Sequence, residues 1–257
     1  MPGRQLRWLL IGNSRWHWAL AEADGSGTDP ALRFLHLPPP SSPLTAVVDP
    51  PLAWAAVGPV PPQTGLPAAT RLALEDVPLA DAPPWLGIDR ALAAWWAARL
   101  TGGPVLVADA GTVLSLTRVD GSGRFAGGRL MAGAALQLGA MGSGTQALPC
   151  LEGAMGIAGS GEAWPRATDA AMRTGVAEGL AAAVLEAGRQ ARALEAGCRI
   201  LLTGGDGPTL LPLLRRSPQL GEDVLLHRPD LCLEALVALR PHPPVGAAQA
   251  RPRSSRI

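Results

Sequence analysis

The chain of 257 residues contains no lysine and no tyrosine, and its only asparagine is Asn13. Arginine therefore supplies every long cationic side chain. The absence of lysine excludes three kinds of site in their standard forms: a Walker A phosphate loop, a Schiff-base centre and a protein-kinase fold, each of which needs a lysine amine. A nucleotide could be held only by backbone amides, hydroxyls, carboxylates, arginine and metal ions.

Net charge and cysteine content are also low. The formal net charge is +1 and the arginines form no dense run, so we expect no nucleic-acid partner. The three cysteines fit neither a metal-ligand spacing nor a disulfide framework, which predicts a reducing, cytoplasmic location. The first apolar run, residues 8–11, has the length of a strand rather than of a signal peptide. No segment is apolar for long enough to span a membrane, so no membrane partner is expected.

The pattern of apolar runs and turn residues predicts both strands and helices. Strands are predicted at residues 6–11, 16–20, 45–48, 54–58, 70–74, 105–108, 113–119 and 199–202. Alanine-rich segments predict helices at residues 91–100 and 173–194, the first of which ends at a Gly-Gly-Pro sequence. Residues 241–257 are rich in proline, arginine and serine, and we expect a disordered tail there.

Three glycine turns follow predicted strands, at residues 12–14, 109–112 and 203–205. Glycine at a strand end lets backbone amides approach an anion without a clash from Cβ, so each turn is a candidate phosphate contact. Asn13 is the only asparagine of the sequence, which favours a specific role for it. A role as an ordinary turn or helix-cap residue explains it equally well. The unit of strand, glycine turn with a hydroxyl, and strand occurs twice, around Ser14 and around Thr112.

An acid and a base stand side by side where the first predicted helix begins, in the segment Gly87-Ile88-Asp89-Arg90. Asp89 could be a capping residue, because a carboxylate near a helix N-terminus is favourable. Arg90 does not fit that reading, since a cation in the first turn opposes the helix dipole. The pair suits a site that takes up a proton and holds an anion.

The order and spacing of the three turns are similar to the phosphate and adenosine segments of the actin-like ATPase superfamily. Together with the Gly-x-Asp-Arg segment they resemble type III pantothenate kinases, from about Leu9 to Leu239. Further segments of this resemblance lie at residues 125–128, 132–133, 145–149, 168–175 and 229–236. The resemblance implies an α/β fold with two ribonuclease-H-like (actin-like ATPase) domains, mixed sheets and flanking helices, at residues 1–102 and 103–240.

The resemblance also implies a function, the ATP-dependent phosphorylation of the primary hydroxyl of pantothenate at the start of coenzyme A synthesis. Asp89 resembles the catalytic base, and Asp109 resembles the ligand of a monovalent cation, K⁺ or NH₄⁺. The residues similar to pantothenate contacts are Gly87, Ile88, Asp89, Arg90 and Thr168. Those similar to ATP contacts are Leu10, Ile11, Gly12, Asn13, Ser14, Arg15, Trp16, His17 and Thr112. ATP would bring Mg²⁺, and a homodimer formed through the second half of the chain is expected.

The sequence departs from the family pattern in its first turn, where Leu10 stands in place of an aspartate and Ser14 in place of a threonine. Losing the carboxylate predicts an enzyme that keeps Mg²⁺ mostly on the nucleotide; the alternative is a non-catalytic, ligand-binding or regulatory relative of the same fold. The family's substrate-contacting tyrosine is also absent, which leaves Trp85 or nothing in that role. A polyphosphate-hydrolysing relative would need a basic channel, and the near-neutral charge argues against one.

Two smaller expectations concern the second strand. Trp16 and Trp18 alternate on one face, which favours packing in a core or a dimer. His17 should face the opposite side, next to the first glycine turn.

Overall fold

The computed structural model describes residues 5–22, 31–40, 50–61, 64–151, 162–218, 220–221 and 223–240. The strand predicted at 45–48 and the disordered tail predicted at 241–257 lie outside these residues. Among the described helices, none is both long and apolar enough to cross a membrane.

The first sheet is built on a hairpin of the two strands predicted at residues 6–11 and 16–20. Strands β1 (Gln5–Ile11) and β2 (Trp16–Glu22) pair in antiparallel register, which places Leu10 opposite His17. Strand β3 (Arg33–Leu37) pairs with β2, and β4 (Ala53–Ala56) runs parallel to β1, giving the order β3-β2-β1-β4. Side chains on both faces of the hairpin pack in hydrophobic clusters. This packing accounts for the apolar runs in its two strands.

The alternation of side chains on this hairpin follows the prediction. Trp16 and Trp18 pack with Leu9 and Trp54 in a small cluster on the outer face. The opposite, inner face carries Trp8, Leu10, Ala19 and Ala21, which belong to the central core. His17 alternates with the tryptophans and therefore lies on the inner face, beside Leu10.

The strand predicted at residues 70–74 is wrong. Short 3₁₀ turns occupy Ala68–Thr70 and Leu74–Asp76, and only a single bridge joins Arg71 to Trp54. The Asp76 carboxylate accepts a hydrogen bond from the Ala73 amide at 2.9 Å, so a local side-chain bond replaces the ladder bond that a strand would make there.

Helix α1 (Ile88–Thr101) contains the predicted helix and begins three residues earlier. Its last turn is closed by Gly102 in the left-handed conformation (φ 65°), whose amide donates to the Ala98 carbonyl.

The second sheet has five strands in the order β7-β6-β5-β8-β9. Strands β5 (Val105–Ala110), β6 (Val113–Val119) and β7 (Phe125–Ala132) form an antiparallel meander, whereas β8 (Arg199–Thr203) and β9 (Leu225–His227) continue it in parallel. Three helices pack against its outer face: α2 (Ala134–Gly144), α3 (Thr168–Leu194) and α4 (Gly207–Arg215).

The central core lies between the two sheets. Helices α1 and α5 (Leu231–Leu239) occupy this layer, and the core contains side chains from both sheets, such as Leu10, Leu92, Val107, Leu201 and Leu233. The last helix therefore returns to the first sheet, where the Trp8 indole donates to the Arg240 carbonyl at 2.8 Å. The domain division at residue 102 stays a prediction.

Candidate active site between the two sheets

The three glycine turns meet at the C-terminal ends of strands β1, β5 and β8. The hydroxyl oxygens of Ser14 and Thr112 are 2.8 Å apart, which joins the turn after β1 to the turn after β5. The Asp206 amide donates to the Ala110 carbonyl at 2.8 Å, which brings the turn after β8 to the same place. Segments far apart in sequence thus come together around the hydroxyls of Ser14 and Thr112.

Two glycines make this approach possible. Gly204 has φ of 88°, and a Cβ there would overlap the Asp109 carboxylate and the Ala110 carbonyl. A Cβ on Gly133 would overlap the carbonyls of Gly111 and Thr112, and the Gly133 amide donates to Thr112 at 3.0 Å. Any side chain at either position would push the turns apart.

The residues of the first turn divide into two groups. Leu10, Ile11 and Trp16 are buried in cores, so only their backbones are available to a ligand. Asn13, Ser14 and Arg15 are exposed on the turn itself, and the Gly12 amide closes it with a 2.9 Å hydrogen bond to the Arg15 carbonyl.

Asp206, which sequence reasoning missed, lies across from this turn. Desolvation raises the pKa of its carboxyl group, and the nearby charge of Arg15 opposes that rise. The only sequence signal was its position directly after the Thr203-Gly204-Gly205 turn.

Asp89 is the second residue of α1, with its side chain turned back over the helix start. Its Oδ1 accepts a hydrogen bond from the Arg90 amide at 2.8 Å. A Cβ on Gly87 would lie 2.6 Å from the same oxygen, which explains the glycine two positions earlier. Desolvation raises the pKa of Asp89, against the opposing effects of the Arg90 amide and charge.

Arg90 reaches away from Asp89, toward strands β6 and β7. Its Nε donates to the Thr117 hydroxyl at 3.1 Å, and a Cβ on Gly128 would lie 2.5 Å from its Nη2. Within the described chain Arg90 forms no ion pair with a carboxylate, and desolvation lowers its pKa. Asp89 supplies the neighbouring negative charge, but no carboxylate of the described residues forms an ion pair with this partly buried guanidinium, which makes it a candidate anion site.

The Asp109 side chain points toward this cluster because successive side chains of a strand lie on opposite faces of the sheet. It follows Val105 and Val107 on the inner face of β5, toward α1 and α5. Desolvation, followed by repulsion from Asp89, raises the pKa of Asp109 to about 7. The two carboxyl groups therefore interact, as neighbours in one site.

Cys232 on α5 is a further neighbour that the sequence did not single out. Its thiol donates to the Asp89 carbonyl at 3.6 Å, and desolvation together with Asp109 and Asp89 raises its pKa well above the ordinary value. No sequence signal marks this residue, because its position depends on the return of α5 to α1.

Thr168 stands apart from this cluster in the described residues. It is exposed at the first position of α3, and its side chain makes no hydrogen bond there. The segment before it, residues 152–161, is outside the described chain. Among the described residues, no three histidine, cysteine, aspartate or glutamate side chains converge as metal ligands.

Comparison with known proteins gives one consistent family. The family model for type III pantothenate kinase matches residues 70–190. The type III pantothenate kinase of Synechococcus elongatus is 36% identical over 244 residues, covering 89% of this chain and 96% of the relative. That of Synechococcus sp. strain JA-3-3Ab is 39% identical over 221 residues, covering 84% of this chain and 86% of the relative.

Solved structures show the same fold at lower identity. A Campylobacter jejuni protein named for the Baf family of transcriptional activators superposes with a TM-score of 0.54 at 16% identity, covering 91% of this chain and 96% of its own. A Sinorhizobium meliloti protein named for 2-dehydro-3-deoxygalactonokinase gives 0.51 at 18% identity, covering 98% of this chain and 100% of its own. These two likenesses concern the fold alone.

Proposed function

This chain belongs to the type III pantothenate kinase family, and we propose a residue-level account of how it phosphorylates the primary hydroxyl of pantothenate with ATP. One observation carries the account. The three glycine turns meet, with the hydroxyls of Ser14 and Thr112 in contact, near a desolvated Asp89 and an Arg90 that forms no ion pair among the described residues. Phosphoryl transfer is chiefly a matter of positioning and charge neutralisation, and this surface supplies both.

Asp89 acts as the general base. The substrate hydroxyl gives its proton to the Asp89 carboxylate as its oxygen bonds to the γ-phosphorus, and the bond from that phosphorus to the oxygen of ADP breaks. Desolvation raises the Asp89 pKa toward the working pH, which increases its strength as a base. The hydrogen bond from the Arg90 amide fixes one carboxylate oxygen and leaves the other for the substrate.

Arg90 holds the anionic part of the reactants. Thr117 and Gly128 position its guanidinium, whose planar fork matches a carboxylate or a phosphoryl group. Gly87 and Ile88 shape the helix start on which both residues stand, and Trp85, which is 72% exposed, is available to cover the substrate.

The turns around Gly12 and Thr112 bind the phosphates of ATP. Exposed Asn13, Ser14 and Arg15 fit an anion, whereas the buried Leu10 offers no carboxylate to a metal ion. The donor set therefore fits Mg²⁺ that arrives bound to the nucleotide. Such an ion neutralises part of the phosphate charge.

A monovalent cation, K⁺ or NH₄⁺, binds at Asp109. The raised pKa of Asp109, about 7, supports this proposal, because desolvation and the charge of Asp89 both disfavour a negative charge there. A bound cation would let Asp109 and Asp89 ionise together. The carbonyl of Ala110 and the amide-lined turn at Gly204 lie beside this carboxylate.

The enzyme forms a homodimer through strand β7 and the start of α2. Large apolar side chains are exposed there: Leu130 at 62%, Met131 at 37% and Leu136 at 47%. Strand β7 is also an edge of the second sheet, and an exposed apolar edge is a surface that a second copy would cover.

The non-catalytic alternative has no support beyond Leu10. The relatives of 36% and 39% identity are named as kinases, and the likeness to a protein named for transcriptional activation, at 16% identity, shows the fold alone. The cytoplasmic location predicted from the cysteines stays a prediction.

The test is ATP-dependent phosphorylation of pantothenate by the purified protein with Mg²⁺, comparing potassium with sodium. Replacing Asp89 with asparagine removes the base but keeps the shape, so we expect kcat to fall about 10²–10⁴-fold with ADP binding unchanged. Glu178→Gln, an exposed change on α3, is the control and should keep full activity. Turnover by Asp89→Asn at the wild-type rate would contradict the assignment.

A further inference from the structure

A chain of three titratable side chains runs from helix α5 to the first glycine turn. His17 on β2 and His36 on β3 are cross-strand partners, and their Nδ1 atoms are 2.7 Å apart. The Nε2 atom of His36 lies 3.0 Å from Oδ1 of Asp230, the residue directly before α5. Neither the proposed catalytic step nor the central core uses this chain.

The contacts of the two imidazoles favour one placement of their protons. Asp230 Oδ1 accepts no well-aligned hydrogen bond from the described residues, yet a carboxylate at 3.0 Å still favours the tautomer of His36 with its proton on Nε2. A neutral His36 then has a lone pair on Nδ1, which can only accept a hydrogen bond from the Nδ1–H group of His17. That leaves Nε2 of His17 with a free lone pair.

This lone pair lies at the turn that faces the nucleotide. A Cβ on Gly12 would lie 3.1 Å from His17 Nε2, so the ring edge sits directly against the glycine. Leu10, the cross-strand partner of His17, contributes no polar group, and the whole segment of residues 10–17 contains no carboxylate. His17 Nε2 is therefore the side-chain nitrogen of this turn that can act as an acceptor.

We propose that Asp230 and His36 orient His17 so that its Nε2 accepts a hydrogen bond from a water molecule on the Mg²⁺ of bound ATP. This inference rests on the proposed binding of the nucleotide phosphates at the first turn. It gives the turn an uncharged acceptor on the inner face, beside Leu10, where the chain has no aspartate. His17 is a substrate-positioning residue in this account, and His36 and Asp230 act through it.

One observation agrees with this role. Desolvation, with His36 and Arg15 adding to it, lowers the pKa of His17 to about 4, so the ring is neutral at pH 7 and keeps its lone pair.

The experiment measures ADP binding by calorimetry, once with Mg²⁺ and once with EDTA, and takes the ratio of the two dissociation constants. His17→Phe keeps a flat ring but removes the acceptor, so the gain in affinity from Mg²⁺ should fall about tenfold, the worth of one hydrogen bond to a charged group. Affinity in EDTA should stay at the wild-type value. Asp230→Asn should reduce the gain by a smaller factor, and Arg33→Gln, on the same strand as His36, is the matched control.

The outcomes separate this inference from the nucleotide site itself. Equal weakening in Mg²⁺ and EDTA would mean that His17 supports the turn or donates to a phosphate oxygen. Wild-type affinity under both conditions would mean that it contacts neither the phosphates nor the hydrated ion. Each result overturns the inference alone. Failure of the wild-type protein to bind ADP under both conditions overturns the site assignment as well. If His17→Phe does not fold, judged by its thermal melt, Asp230→Asn carries the test because it preserves shape.

Discussion

Single residues in this protein have properties that their neighbours in space impose. Asp109 and Asp89 are both ordinary carboxylates in sequence, yet desolvation raises the pKa of each and brings that of Asp109 to about 7. At Gly204 and Gly133 the neighbours instead exclude a side chain. Backbone carbonyls occupy the space that a Cβ would need, so glycine is required at both positions. The chemistry of the site therefore depends on close packing around a few small or charged residues.

Stability should depend on pH through Asp109. Its carboxyl group has a higher pKa in the folded protein, about 7, than in the unfolded chain, so the folded state is penalised as pH rises from about 4 to about 7. The penalty would be at most roughly 4 kcal/mol. Between pH 5 and 8, in tetramethylammonium chloride, we expect the wild-type protein to lose more free energy of unfolding than Asp109→Asn does.

Urea titrations at the two pH values measure this difference. Adding KCl should reduce the loss in the wild-type protein, because a bound cation favours the ionised carboxylate, and should leave Asp109→Asn unaffected. Identical pH dependence of the two proteins would show that the Asp109 carboxyl group is not perturbed.

At the scale of secondary structure, helix α5 has the greatest influence on the site. It is buried on several sides because it lies between the two sheets, with Leu231, Leu233, Ala235 and Leu236 all buried. Its first turn brings Cys232 to the Asp89 carbonyl, and Asp230, just before it, contacts His36 on the first sheet. A helix near the end of the described chain thus joins helix α1, which carries Asp89, to the first sheet.

Truncating a side chain in α5 should cost substantial stability. Leu233 is 1% exposed in the central core, so Leu233→Ala should lower the free energy of unfolding by about 2–5 kcal/mol. Leu194→Ala, at a position on α3 that is 69% exposed, is the control and should change it by less than about 0.5 kcal/mol. Equal effects in urea denaturation would mean that α5 does not share the core.

At the scale of the whole molecule, two sheets enclose the α1–α5 layer and leave the edge of the second sheet uncovered. Leu130 and Leu136 are exposed there, although leucines inside a monomeric domain are mostly buried. A second copy of the chain would remove this apolar surface from water.

Charge placed on this edge should weaken the dimer. We expect the wild-type protein to sediment as a dimer and Leu130→Glu with Leu136→Glu to shift toward monomer, because burying two carboxylates without partners is costly. Leu37→Glu, at an equally exposed position on β3, should leave the dimer intact. A monomeric wild-type protein at micromolar concentration would refute the proposed interface.

Much of the fold was accessible from local sequence patterns. The strands of the β1–β2 hairpin, the strands at 105–108 and 113–119 and the helices at 91–100 and 173–194 follow from periodicity and turn residues, and the structure confirms them. The error at residues 70–74 arose because a side-chain bond from Asp76 favours a 3₁₀ turn, which composition does not reveal.

Residue type and order along the chain were enough to predict the three glycine turns, the adjacent pair Asp89 and Arg90, and the family. They did not reveal that Arg90 turns toward Thr117, that Cys232 and Asp206 lie at the candidate site, or that His17 ends a chain from Asp230. Those placements arise from the packing of α5 and the two sheets. Contacts between segments that are distant in sequence leave no local pattern from which they could be read.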